Sequence, residues 1–172
     1  MALRNAATLY DQRGSRITSA PAVEPVTAAE LRSYLRETAT GLPDADAEEL
    51  IEEARQMIED HTGLAMITQS WQLTIDRWPS QNEPWWDGVR DGHINMLNGS
   101  GGSLQLPRYP LQSITTVTVY DEDSTSTAVT VADVFDVDTQ QMPGRITLQS
   151  GATWPVALRA NNAIEVVYVA GY

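Results

Sequence analysis

The side chains able to do chemistry in this chain are few, and their spacing does not assemble a reaction centre. His61 and His93 are its two histidines, and neither belongs to an HxxxH or HExxH pair, so a zinc site would need ligands gathered at long range. Asp121, Glu122 and Asp123 resemble the opening of a calcium loop. The central glycine and terminal bidentate glutamate of such a loop are missing, which leaves a solvated acidic turn. Asn98-Gly99-Ser100-Gly101-Gly102-Ser103 has the glycine content of a phosphate cradle but lacks the lysine that would follow it and a helix N-terminus to hold an anion. It reads as a loop tip. Carboxylates crowd residues 44–60, yet the pattern puts Glu48, Glu52 and Glu59 on a solvated helix face, where nothing raises a pKa for acid catalysis. With no GxSxG signature and no cysteine, neither a serine nor a thiol nucleophile is proposed. The expectation is a chain with no catalytic residues, no metal and no cofactor, and not an enzyme.

The element around which the rest is organised is 44–78, DADAEELIEEARQMIEDHTGLAMITQSWQLTIDRW. Leu50, Ala54, Met57, Ile58 and His61 fall on one stripe of a 3.6-residue period and are expected to face the core. Asp44 or Asp46 is expected to cap the helix, and Gly63 to end it in the left-handed conformation that a residue without Cβ reaches cheaply. Beyond Gly63 the period becomes two. Gln69, Trp71, Leu73 and Ile75 face one way, and Thr68, Ser70, Gln72 and Thr74 the other. A strand with one oily face lies in a sheet covered on that side, and the helix is the expected cover.

Residues 1–24 lack periodicity and read as a flexible N-terminal arm, followed by a single domain over 25–172. Thr27-Ala28-Ala29-Glu30 is a capping box opening a short helix with Leu31, Tyr34 and Leu35 on its inner face. Residues 79–103 form a long inserted loop or hairpin that is too apolar for a plain linker, since it carries Trp85, Trp86, Ile94 and Met96. From Leu104 the pattern is β throughout. Leu104 and Leu106 belong to one strand and residues 114–120 to the next, with a return strand over 128–131 after the acidic turn. Residues 134–137 and 145–148 pair around Met142-Pro143-Gly144, and residues 163–169 close the sheet. The fold class is α+β, with an N-terminal pair of helices packed on a mainly antiparallel sheet or small β-sandwich.

Length and composition set the remaining limits. At 172 residues with 42% hydrophobic content, the chain can build one core. No apolar run approaches the ~20 residues of a membrane span, so a soluble, intracellular protein is expected. Five Trp and six Tyr stand against one Phe, a bias toward amphipathic aromatics that suits interfaces as well as cores. The net charge of −12 argues against gripping a phosphate backbone, which needs clustered basic residues. It is compatible with an acidic wall along which DNA slides without sticking. These features favour a structural or binding protein.

A set of words in fixed order resembles one family. They are Pro25-Val26-Thr27-x-x-Glu30-x-x-x-Tyr34-Leu35; Glu49-Leu50-Ile51-x-x-Ala54-Arg55 running to Glu59-x-x-Thr62-Gly63; Ile67-Thr68-Gln69-x-Trp71-x-Leu73; Leu106-Pro107-Arg108-x-Pro110-Leu111-x-Ser113-Ile114; Gly144-Arg145-Ile146; Trp154-Pro155; and Val167-x-Val169-Ala170-Gly171-Tyr172. Together they resemble the head-tail connector (adaptor, or head completion) proteins of long-tailed bacteriophages and gene transfer agents. The resemblance implies a subunit of a ring of about a dozen copies, joining the portal to the tail or to a stopper or tail terminator protein. It implies DNA passing through without specific binding, a place in the neck of the virion or phage-like particle, and assembly in the bacterial cytoplasm. On that reading Val169, Ala170, Gly171, Tyr172, Trp85 and Trp86 are candidates for the portal or partner interface. Glu48, Glu52 and Glu59 are candidates for an acidic channel lining. The alternatives are a tail-terminator or stopper role, or an acidic carbohydrate-binding or hydrolytic β domain in which Trp85 and Trp86 stack on sugar rings.

Overall fold

The computed structural model describes residues 13–78, 103–152 and 157–172. Among them the chain is α+β, as the pattern predicts, with two antiparallel sheets and an N-terminal helix pair. A five-stranded sheet runs β1 (Arg13–Ser19), β2 (Gln69–Ile75), β8 (Ile164–Ala170), β4 (Leu111–Tyr120) and β5 (Ser126–Val129). A three-stranded sheet runs β3 (Ser103–Gln105), β7 (Arg145–Leu148) and β6 (Phe135–Asp138). The helices are α1 (Ala28–Leu35), α2 (Asp44–Thr62) and the single turn α3 (Val131–Val134).

The alternation read for β2 holds except at one position. Gln69, Trp71, Leu73 and Ile75 are buried and Ser70 and Thr74 on the opposite face are half-buried, but Gln72 on that face is buried too, where Arg16 donates to its side chain. In register with them, Ala170, Tyr168, Val166 and Ile164 of β8 are fully buried, so the last strand lies in the middle of the sheet rather than closing it. Leu111, Val117 and Val119 of β4 continue this inner face, which meets Leu104, Ile146 and Phe135 of the small sheet in one core. Trp78 stacks on Phe135 with ring centroids 5.1 Å apart. Each fully buried Leu or Ile in this layer contributes about 1.5–3 kcal/mol. No residue of α1 or α2 belongs to that core. The cover of the oily strand face is therefore the second sheet and not the central helix.

Three other expectations change. Arg13–Ser19, within the segment expected to be a flexible arm, is an edge strand pairing antiparallel with β2. It is held by a main-chain ladder and not by buried side chains, and an alternation pattern does not register that. Residues 126–129 form the return strand, earlier than expected, and Val131 already opens α3. The cap of α2 is Pro43, without a side-chain hydrogen bond, because Asp44 sits one position inside and instead pairs with Arg32 of α1. The capping box at Thr27 and Glu30 and the left-handed Gly63 (φ 77°) are as read. The acidic turn folds around Asp121, whose carboxylate accepts from the backbone N–H of Asp123 (3.0 Å) and Thr125 (2.8 Å). Trp154-Pro155 and all of the 79–103 insertion except Ser103 lie outside the described residues.

The turn entering β7 shows how tightly the two sheets meet. A Cβ added at Gly144 would collide with the Leu111 side chain, coming 2.8 Å from its Cδ2, and the Gly144 carbonyl accepts from the Leu106 N–H at 2.9 Å. Neither the backbone nor Leu111, in the middle of the core, has room to retreat. Gly144→Ala is expected to lower stability by about 1–3 kcal/mol, the usual cost of overpacking, as read from the urea midpoint with the slope unchanged.

Candidate assembly interface

The outward-facing features begin with how α2 is mounted. Its buried residues are Ala47, Ile51, Arg55 and Glu59, each four apart. That face is turned by about one residue position, roughly 100°, from the apolar stripe. The stripe expected to be core is exposed: Leu50, Ala54, Met57, Ile58 and His61 all face solvent, Met57 at 77%. On α1, Leu31 is half-buried, whereas Tyr34 (86%) and Leu35 are exposed. The helix pair thus carries unburied apolar side chains along its outside, a feature that marks interaction surfaces in soluble proteins.

What turns the helix is a polar joint. The Glu59 carboxylate is 3% exposed and accepts from Arg55 Nη1 (2.9 Å), the Met66 backbone N–H (2.8 Å) and Gln69 Nε2 (2.8 Å). Arg55 reaches across to Glu24 with Nε (2.7 Å) and Nη2 (3.1 Å), fixing the segment after β1 against the helix. Hydrogen bonding to Glu24 holds the Arg55 guanidinium above its already high pKa. At the end of α2, Arg108 donates to the Glu59 carbonyl and to the Asp60 carboxylate, both at 2.6 Å, while its guanidinium lies 4.4 Å from the Trp71 ring centroid. A cation there also suits the negative end of the helix dipole. The Tyr109 hydroxyl donates to the Thr62 carbonyl at 2.6 Å.

The sequence-predicted site residues separate. Glu48 and Glu52 are exposed on α2, away from the apolar stripe. Glu59 is not a lining residue, because its carboxylate is consumed inside the joint. Val169 is half-buried, and Ala170 and Gly171 are buried within their own fold. Gly171 takes φ 124° with its Cα against the Ile67 carbonyl, where a Cβ would clash. Its N–H donates to the Pro110 carbonyl, and the carbonyl of Tyr172 accepts from Thr68 N (3.2 Å) and Oγ1 (2.8 Å). Of this ending only the Tyr172 side chain projects, 69% exposed. Trp85 and Trp86 lie outside the described residues, as does His93. Among the described residues no group of His, Cys, Asp or Glu is placed to hold a metal ion, and no helix is long and apolar enough to cross a membrane. Arg55 and Arg108 were legible only as letters within longer words. The signal that could have found Arg55 is the Ala47-Ile51-Arg55-Glu59 spacing, a helix row that mixes small, apolar and oppositely charged residues.

Three solved structures contain chains that share this architecture. One, described as the neck of an empty gene transfer agent particle computed with C6 symmetry, gives a TM-score of 0.64 at 22% identity, over 92% of this chain and 71% of that one. The fold is shared with a chain of that assembly. A second, described as the virion of a native gene transfer agent particle, gives 0.61 at 21% identity over 92% and 71%. A third, the neck of a native particle computed with C12 symmetry, gives 0.54 at 20% over 91% and 70%. No protein-family model and no curated protein matches the chain.

The mounting of α2 rests on the buried pair, which supplies a direct test. Arg55→Ala is expected to cost about 3 kcal/mol, the low end for breaking a buried ion pair, since Glu59 keeps two other donors. A thermal or urea midpoint unchanged within error would show that the joint does not hold the helix.

Proposed function

We propose that the chain is a structural adaptor subunit of a phage-like neck. About a dozen copies form a ring that joins the portal of the capsid to the tail or stopper and lets DNA pass. The observation that carries this reading is the likeness over nine-tenths of the chain to chains from neck assemblies. The exposed face of the helix pair supports it. Tyr34, Leu35, Leu50, Met57 and Ile58 are large apolar side chains left in water by the isolated subunit, and packing them against the neighbouring subunit removes that surface in a heterologous, closing interface.

Glu48 and Glu52, exposed on α2, are the acidic lining in this proposal, and Glu59 is not. A wall of carboxylates repels the DNA polyanion and keeps it from binding as it moves. Portal contact is assigned to Tyr172, to Trp85 and Trp86, and to residues 1–12. Residues 13–19 are excluded from a portal-docking arm because they are already part of the sheet.

Light scattering with electron microscopy of the protein alone and mixed with the portal protein of the same particle tests the reading. Rings that cap the portal are expected, and a monomer indifferent to the portal would overturn it. Met57→Glu is expected to leave the stability of the monomer within about 0.5 kcal/mol, as for an ordinary surface change, while shifting the mass distribution from ring to monomer. Removing Tyr172 is expected to weaken portal capture with the ring intact.

A further inference from the structure

The five-stranded sheet has two open edges. β1 is one, and every residue from Gly14 to Ser19 is exposed, including Ile17 at 42% on the inner face. β5 is the other, with Ser126, Thr127 and Ala128 exposed. Among the described residues nothing pairs with the outer side of either strand. An uncovered edge presents a row of main-chain donors and acceptors that invites another strand, and folded proteins normally blunt it with proline, a bulge or a cover. Here β1 is seven residues long and contains no proline, and its one irregularity lies near its end, between Ile17 and Ser19.

We infer that β5 of one subunit pairs with β1 of the next, so that the sheets of neighbouring subunits join edge to edge around the ring. The inference rests on the ring reading above and deepens it. Strand direction and charge, taken together, favour this occupant over others. Going from β1 through β2, β8 and β4 to β5, each step is antiparallel, so β1 and β5 point the same way. With the ring axis running along the strands, as this inference has it, rotation carries each strand onto a copy of the same direction and the junction is parallel.

The second observation is charge. A parallel junction sets the start of β5 beside the start of β1. The start of β5 follows the acidic turn of Asp121, Glu122 and Asp123, and Glu122 and Asp123 are exposed. The first half of β1 carries Arg16, whose side chain remains 72% exposed although it donates to Gln72 and lies 4.0 Å from the Glu165 carboxylate of its own subunit. An antiparallel junction would carry the acidic turn to the other end, near Ser19. Pairing of β1 with β1 in a two-fold dimer would lay one arginine-bearing strand on another, which like-charge repulsion disfavours.

The chain has no cysteine, so crosslinking can be directed cleanly. Ser15 and Ile17 of β1 and Thr127 of β5 lie on the same, inner face of the sheet. The double variants Ser15→Cys/Thr127→Cys and Ile17→Cys/Thr127→Cys, checked for folding by circular dichroism, would be assembled with the portal protein. They would then be treated with a short bis-maleimide, whose reach tolerates a register offset between the two pairs. The expected result is a ladder of covalent oligomers rising to the full ring from at least one pair, and no ladder from any single-cysteine variant. Rings visible by microscopy with no ladder from either pair would overturn the edge junction and leave the ring reading standing. Absence of rings in the unmodified protein, with and without portal, would overturn both.

Discussion

A single buried carboxylate, Glu59, sets where the helix pair stands. Only Ala47 and Ile51 of α2 are buried apolar residues, and both lie outside the main core cluster, so apolar burial alone does little to choose the orientation of α2. That choice falls to hydrogen bonds from Arg55, Met66 and Gln69 onto Glu59, and from Arg108 onto the helix end. Hydrophobic contact tolerates sliding and rotation, whereas three donors converging on two oxygens do not. A buried ion pair is often no more stable than an apolar substitute. Its value here is direction: it holds the apolar stripe of α2 outward although burial would favour turning it in.

The rest of the molecule can be read as the counterpart of that constraint. The core between the two sheets is complete without the helices, with Leu73, Leu104, Ile146, Ile164 and Val166 at 1% exposure or less. The sandwich can therefore act as a finished body while the helix pair and the strand edges remain available. An exposed helix face and exposed edge strands are liabilities in a lone soluble protein. In the ring proposed above they are surfaces awaiting a neighbour.

The same division explains what the sequence disclosed. The strands after Leu104 were legible because a period of two, the turn at Met142-Pro143-Gly144 and the acidic turn at Asp121 are local signals. The capping box and Gly63 were legible for the same reason. The face of α2 was misread because periodicity identifies an apolar stripe without saying what will cover it, and here the buried row contains Arg55 and Glu59. β1 was missed because Arg13-Gly14-Ser15-Arg16-Ile17-Thr18-Ser19 has no buried side to alternate with. Gly171 and Ala170 were candidates for an interface through the resemblance, but Gly171 is packed against Ile67, Thr68 and Pro110 and Ala170 pairs with Gln69 and Leu111, all far away in the chain.

The acidity of the surface follows from where the basic residues are used. All 11 basic residues are arginines, the side chain best suited to forked hydrogen bonds. Arg32 pairs with Asp44, Arg55 with Glu24 and Glu59, Arg108 with Asp60, and Arg145 with Asp138, while Arg159 holds the Asn162 carbonyl and lies 4.0 Å over the Tyr120 ring. These guanidiniums fasten loops and helix ends within the subunit and cancel carboxylates locally. The carboxylates without such partners, Glu48 among them, therefore dominate the field at a distance. At physiological salt that field decays over ~8 Å, so it acts on a polyanion passing close by and leaves a more distant one unaffected. A protein that needed to grip DNA would have spent its arginines outward. The five named above are spent instead on the subunit's own joints.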